Sequence, residues 1–214
     1  MSREYVYRGV KIEKLVHDTV RIQGKNVVLY IDPFRVSDTP KDADIVICTH
    51  DHFDHNQARI VEKAESILIK ESKTVDGIKI ETINAYHDKE EGRKRGEIKI
   101  FKIEYEEIKF CHLGDLGHVL SSETINKIGS IDVLFIPVGG VFTIGAKEAL
   151  EICKKIDVKA IVPMHYKIEG LSLPIERIDA FLDIVDYPVR HVANEIEIDR
   201  EDLPAEKEIW VFSL

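Results

Sequence analysis

Three imidazoles and two carboxylates fall within the six residues His50-Asp51-His52-Phe53-Asp54-His55, directly after the apolar run Asp44-Ile45-Val46-Ile47-Cys48-Thr49. So many ionisable groups pack poorly in a core, and a solvated turn gives histidines no reason to gather. Imidazole nitrogen and carboxylate oxygen are, however, the ligands that Zn²⁺ and its first-row neighbours prefer. If the chain stays extended past the strand, His50 and His52 point the same way. Asp54 and His55 then reach a neighbouring position as the chain turns into a helix expected over Gln57–Ala64. One short loop can thus supply parts of two metal positions.

More ligands are needed than this loop offers. The downstream candidates are His87 in Ala85-Tyr86-His87-Asp88, Asp115 in His112-Leu113-Gly114-Asp115, and His165 in Pro163-Met164-His165-Tyr166. Each follows an expected strand, so all can lie along one edge of a sheet stack. Strands are expected at Val27–Ile31, ending at Asp32-Pro33, and at Asp44–Thr49, Gly77–Asn84, Glu97–Tyr105, Ile108–His112, Asp132–Ile136, Ala160–Pro163 and Arg190–Ile198. Uninterrupted apolar runs among them suit strands covered on both faces. Helices are expected from Ser121 towards Ile128 before Gly129, over Gly145–Lys155, and over Pro174–Val185, where proline opens an apolar face. The pattern is mixed α/β, with sheets that need helices on their outer faces.

The chain has 214 residues, without low-complexity tracts or a Pro/Gly/Ser linker, and one domain over residues 1–214 is the simplest division. A net charge of −9 disfavours a broad nucleic-acid face, and no apolar segment approaches the roughly 20 residues that span a bilayer. Cys48, Cys111 and Cys153 are odd in number and widely spaced, which reads as buried thiols rather than a disulfide framework. No basic start precedes a long apolar run, so the expected location is the cytoplasm.

The HxHxDH segment, with further histidines placed around an aspartate, resembles the metallo-β-lactamase superfamily. Ile31-Asp32-Pro33-Phe34, His112-Leu113-Gly114-Asp115-Leu116-Gly117-His118, Pro137-Val138-Gly139-Gly140 and Pro163-Met164-His165-Tyr166 look like a branch of small cytoplasmic hydrolases related to the ascorbate-phosphate lactonases. The resemblance implies an αββα four-layer sandwich with its site at one edge of two packed sheets. It implies that His50, His52 and His87 hold one divalent metal, that Asp54, His55 and His165 hold a second, and that Asp115 bridges them. Zn²⁺ is the expected ion, with Mn²⁺ and iron open. His112 competes with His87 for the last position of the first set.

Asp32 is a candidate for fixing a metal-bound histidine from behind, and equally a turn cap before Pro33. His112 is a candidate support for Asp115. His17 is as readily structural as pocket-lining. His118 and Tyr166 are candidates near the substrate, with Lys167 beside Tyr166, and His191 reads as structural. Arg93, Lys94 and Arg95 can close over the pocket and bind an anion, but a solvated charged turn is the plainer reading. The chemistry expected is hydrolysis of an ester, lactone or phosphoester in a small, anionic substrate by a metal-bridging hydroxide, with Asp54 both ligand and proton acceptor. Alternatives are an iron-dependent oxidoreductase on the same fold and a non-catalytic metal-binding module. A glutamate replaces His52 in the flavodiiron pattern, which weighs against the first.

Overall fold

Apolar residues alternate with polar ones along the first strands, and this alternation sets which faces meet. The computed structural model describes residues 9–34 and 40–213. The first strands are β1 (Val10–Lys14), β2 (Val20–Gln23), β3 (Val28–Ile31), β4 (Ala43–Ile47) and β5 (Glu62–Ile69). Next come β6 (Lys73–Val75), β7 (Ile78–Tyr86), β8 (Glu97–Tyr105) and β9 (Ile108–His112). Helix α1 (Ser122–Ile128), β10 (Ile131–Pro137), α2 (Ala146–Lys155), β11 (Val158–Met164) and α3 (Asp179–Leu182) follow. The last strands are β12 (Val189–Val192), β13 (Glu195–Ile198) and β14 (Glu208–Phe212).

These strands form two sheets, β13-β1-β2-β3-β4-β5 and β12-β14-β11-β10-β9-β8-β7-β6. One buried cluster lies between them: Leu29, Ile31, Ile45 and Ile47 from the first sheet face Phe101, Ile103, Phe110, Val133, Phe135 and Trp210 from the second. The opposite face of the larger sheet carries Ile100, Cys111, Leu134, Ile136 and Ile161, covered by Ala149, Ile152 and Cys153 of α2 and Phe181 of α3. Strand β10 is buried throughout and β11 at every residue but Lys159, and the two pair in parallel. A parallel pair needs a crossover, which α2 supplies; α1 does the same between β9 and β10. Ser121 caps α1 by accepting from Thr124 N at 3.1 Å.

The arrangement is the expected sandwich, with a difference on its thinner side. Among the described residues, the outer face of the six-stranded sheet has no α-helix. Tyr30, Val46 and Cys48 pack there against Ala58 and Val61 around a single 3-10 turn, Ala58–Ile60. The helix expected over Gln57–Ala64 is therefore this turn followed by β5, whose residues Ile67–Ile69 pair with Ile45–Ile47. The strand expected over Arg190–Ile198 is two: β12 pairs with β14 in one sheet and β13 with β1 in the other. The helix expected over Pro174–Val185 is regular only at α3. Cys48, Cys111 and Cys153 are free and buried. No helix among the described residues is long and apolar enough to cross a membrane.

Strand directions decide where the chemistry lies. β1, β3 and β4 end on the same side of their sheet, as do β7, β9 and β11 of theirs. The segments leaving these six ends carry His17, Asp32, His50 to His55, His87, Asp115 and His165.

Candidate metal centre

Asp115, fully enclosed after β9, is the group on which the other candidates converge. Its Oδ2 lies 3.0 Å from His87 Nε2, 3.5 Å from His165 Nε2 and 3.8 Å from His50 Nε2. Its Oδ1 lies 3.2 Å from His55 Nε2. Donor atoms of His50, His52 and His87 lie within 4.8 Å of one another, and so do those of His17, Asp18, His55 and His165. Asp54, on the solvent side of the second group, has Oδ1 4.0 Å from His55 Nε2 and Oδ2 3.8 Å from His17 Nε2. The structure thus brings together all seven proposed ligands and adds His17 and Asp18.

Behind the cluster runs a hydrogen-bond relay. Asp32 can only accept when ionised, so Thr49 donates to it twice, from N at 2.7 Å to Oδ1 and from Oγ1 at 2.6 Å to Oδ2. The Thr49 hydroxyl has then spent its one proton and must accept from His50 Nδ1 at 3.0 Å. His55 Nδ1 donates to Asp32 Oδ2 at 3.0 Å. Both imidazoles therefore hold a proton on Nδ1 and turn Nε2 towards Asp115. A carboxylate behind a histidine is the usual way to fix tautomer and orientation for metal binding. Asp32 was a candidate for this work; Thr49 was not, although it stands next to His50 in the motif.

The donor atoms fit a metal. His50 Nε2 is buried without a hydrogen-bond partner, and the Nε2 atoms of His55, His87 and His165 are enclosed facing one carboxylate, Asp115. Buried polar atoms are nearly always satisfied in proteins, and these are nitrogen and oxygen donors of the kind that divalent first-row ions accept. Three of the residues also hold left-handed backbone, His17 at φ 59°, Asp32 at φ 47° and His165 at φ 51°. Such conformations cost energy and gather at functional sites.

Charge within the cluster is uneven. Burial opposes ionisation of Asp115, but His55 and His165 outweigh it and hold the carboxyl well below its ordinary range. Burial likewise lowers His55, yet Asp115 and Asp32 prevail and raise it well above the ordinary histidine value. His165 is raised in the same way, with Asp115 and Asp18 overcoming burial. Burial, helped by His165 and His55, pushes His17 down to about 2. Burial and then His55 push His50 down to about 3.

Two glycines bring the remaining ligand loops into place. A Cβ on Gly117 would sit 2.2 Å from the His87 carbonyl carbon, and one on Gly139 would sit 2.1 Å from the His165 carbonyl oxygen. Only a residue without a side chain lets those backbones approach so closely.

Five residues that the sequence singled out stand elsewhere. His112 faces away from the cluster: Nε2 donates to Asp18 O at 3.1 Å, and Nδ1 accepts from Gly114 N at 3.1 Å. With both nitrogens on backbone it is neither a ligand nor a direct support for Asp115. His118 accepts from Tyr86 N at 3.2 Å through Nε2 and donates to Val119 O through Nδ1, so it holds the strand before His87 and not a substrate. Tyr166 is buried among the apolar side chains under the helices, which pushes its hydroxyl up to about 12. Lys167 donates to Leu173 O at 2.6 Å. His191 is exposed on β12.

An open cleft of about 380 Å³ leads to the cluster, bounded by His52, Phe53, Asp54, Lys94, Arg95, Phe142 and Leu173, with His87, Asp115 and His165 at its floor. Phe53 is 69% exposed, a large apolar surface at the rim. The loop bearing Lys94 and Arg95 is folded around Asp88, whose carboxylate accepts from the backbone N–H of Glu90, Gly92, Lys94 and Arg95 at 2.7 to 3.0 Å. Arg95 Nη1 donates to Val141 O at 3.0 Å and Phe142 O at 3.3 Å, and its Cζ lies 4.9 Å from the Phe142 ring centre. Arg93 and Lys94 are exposed in this turn, as the charge run suggested, whereas Arg95 is half-buried and forms part of the cleft wall.

Residues 11–165 match the beta-lactamase superfamily domain. A "UPF0173 metal-dependent hydrolase" of Thermococcus onnurineus is 30% identical over 190 residues, covering 73% of this chain and 84% of that protein. A protein described in the same words from Methanopyrus kandleri is 30% identical over 196 residues, covering 74% and 82%. A crystal structure from Thermotoga maritima, assigned to the Zn-dependent hydrolases of the metallo-beta-lactamase superfamily, superposes with a TM-score of 0.79. It is 34% identical, covering 95% of this chain and 98% of that one.

Proposed function

The chain belongs to the metallo-β-lactamase superfamily, and we propose that it is a metal-dependent hydrolase that cleaves an ester, lactone or phosphoester bond in a small anionic substrate. The observation that carries this reading is the set of enclosed nitrogen and oxygen donors arranged on both sides of Asp115. In this reading His50, His52 and His87 hold one divalent ion, Asp54, His55 and His165 hold another, and Asp115 serves both.

Ions held so supply Lewis acidity and a water that ionises near neutral pH. The chain's own residues supply the rest. The Asp32–Thr49 relay holds a proton on Nδ1 of both His50 and His55, so Nε2 is the nitrogen each presents to an ion. Asp54, less buried than its neighbours and bordering the cleft, is placed to accept a proton from the attacking water. Arg95, with Nη1 committed to two carbonyls, offers its remaining N–H groups to a carboxylate or phosphate on the substrate. Phe53 gives an apolar rim against which the rest of a small molecule can lie.

The test is elemental analysis of protein purified without chelator or histidine tag, joined to assay against a panel of esters, lactones and phosphodiesters with and without acidic groups. About two metals per chain, with Asp54→Ala and His52→Ala losing metal, turnover or both, supports the reading. Full metal occupancy and full activity in both variants overturn it. Iron together with redox turnover and no hydrolysis would move the assignment to the oxidoreductases of this fold.

A further inference from the structure

The turn between β1 and β2 is held more firmly than a hairpin connection of this length requires. Lys14, itself buried, donates to Leu15 O at 2.7 Å and to His17 O. His112 donates to Asp18 O at 3.1 Å. Thr19 Oγ1 donates to Asp32 O at 2.8 Å and accepts from Phe34 N at 3.0 Å. Every one of these bonds goes to the turn's backbone or its last residue. The side chains of His17 and Asp18 take no part in holding it: both are buried, and the Asp18 carboxyl meets the carboxyl of Asp115 rather than a donor of the turn. The turn is fixed so that these two ionisable side chains project from its other side.

They project into the cluster. One donor atom each from His17, Asp18, His55 and His165 falls within a 4.8 Å group, and the His17 and His165 rings have centroids 4.2 Å apart. Asp18 is fully buried. Its nearest ionisable neighbours are His165, Asp115 and His55, with Lys14 on the far side of the turn donating to carbonyls. An unpaired carboxylate enclosed beside another carboxylate is costly unless a cation lies between them.

We infer that Asp18 is a further ligand of the ion held by His55 and His165. The inference rests on reading the cluster as a metal centre and deepens that reading at one position. With Asp54, Asp115 and Asp18 beside the imidazoles of His55, His165 and the neighbouring His17, this position offers three carboxylates, where the position of His50, His52 and His87 has only the shared Asp115. A closed zinc site uses four donors, whereas carboxylate-rich, six-coordinate surroundings suit Mn²⁺ and similar harder ions. The second position is therefore built for a harder ion than the three-histidine position beside it.

The experiment compares the parent protein with Asp18→Asn and Asp54→Ala, each stripped of metal and titrated with Mn²⁺, reading free Mn²⁺ by electron paramagnetic resonance. Asp18→Asn is expected to weaken one Mn²⁺ equivalent, the one taken up by the carboxylate-rich position, by about ten-fold or more and to leave the other unchanged. Metal-free Asp18→Asn is expected to melt at or above the parent, because the substitution removes an ionisable carboxyl enclosed beside Asp115 with no cation between them. Two Mn²⁺ equivalents both unchanged in Asp18→Asn overturn the inference. So does a metal-free Asp18→Asn that fails to fold or melts more than about 4 °C below the parent. Retention of both equivalents by Asp54→Ala as well would count against the metal centre as a whole; loss in Asp54→Ala alone removes only the role of Asp18.

Discussion

Asp32 Oδ2 lies 3.0 Å from His55 Nδ1 with both side chains fully buried, and the same oxygen accepts from Thr49 Oγ1 at 2.6 Å. One carboxylate thereby orients two imidazoles, His55 directly and His50 through a hydroxyl. Asp32 stands at the end of β3, one strand away from the loop it organises. The parallel pairing of β3 with β4 brings Ile31 level with Ile47, so the residues just past them, Asp32 and Cys48-Thr49, are neighbours. The site's tautomers are thus a consequence of strand register.

Asp32→Ala is predicted to weaken metal binding about ten- to hundred-fold, the range for groups that support a metal-bound histidine from behind. Asp32→Asn should fall short of full rescue, because the amide nitrogen faces Thr49 or His55 with a donor where each needs an acceptor. Competition against a chromogenic chelator measures this. Equal affinity in parent and Asp32→Ala would remove the relay from the account.

Thr49 makes a sharper prediction because its side chain can be changed by one atom. Thr49→Ser keeps the hydroxyl and should bind metal as the parent does. Thr49→Val keeps the shape, leaves His50 Nδ1 and one bond to Asp32 unmet in the interior, and should cost about 1–3 kcal/mol of stability as well as affinity at the three-histidine position. Thermal melts with and without metal distinguish the two losses. If Val and Ser behave alike, the hydroxyl is not part of the relay.

The site was legible in the sequence where its chemistry is local and obscure where it depends on distant pairing. His50, His52, Asp54 and His55 declare themselves by their crowding after an apolar strand, and β8 and β9 have the expected bounds because alternation and turn residues agree there. Gln57–Ala64 read as a helix because a short mixed stretch carries no firm period; pairing of Ile67–Ile69 with β4 decided the matter from outside the segment. Arg190–Ile198 read as one strand because Ala193-Asn194 is a weak break, while its two halves are claimed by different sheets. Asp18 was passed over for the same reason: its importance comes from the backbone of a turn that His112 and Lys14 hold in place, and no local pattern reports that. Gly117 and Gly139 stood out in the sequence as parts of motifs, but only the structure shows that each makes room for a ligand's backbone.

Metal binding is predicted to release protons at neutral pH. His17 and His50 are pushed down to about 2 and about 3, so they are neutral before metal arrives. Burial lowers both His55 and His165, but their carboxylate neighbours prevail, raising His55 well above the ordinary histidine value and raising His165 as well, so both bind protons more tightly before metal arrives. On His55 the proton that must leave is on Nε2, since Asp32 holds the one on Nδ1. Affinity should therefore rise with pH as this competition weakens. Calorimetric titrations in two buffers of different ionisation enthalpy measure the protons directly; an enthalpy independent of buffer would contradict the charge pattern.

Arg95 makes the last prediction, on the nature of the substrate. Its guanidinium is aimed by Val141 O, Phe142 O and the Phe142 ring, and its backbone is tied to Asp88, so it borders the cleft in a fixed orientation. Lys94 beside it pairs with Glu90 and has less charge to offer. Removing one charge-assisted bond to a bound anion costs about 1.5–3 kcal/mol, or roughly ten- to a hundred-fold in affinity. Arg95→Gln should therefore raise KM by that factor for an acidic ester while leaving kcat nearly unchanged, and should barely affect its neutral methylated counterpart. Arg95→Lys should recover little, because a flexible ammonium lacks the planar fork that the two carbonyls and the ring hold in place. Asp88→Ala, which frees the loop's backbone N–H groups without touching the cleft, should mimic Arg95→Gln in direction. Equal losses on the acidic and the neutral ester would mean that Arg95 shapes the cleft and does not read the substrate's charge.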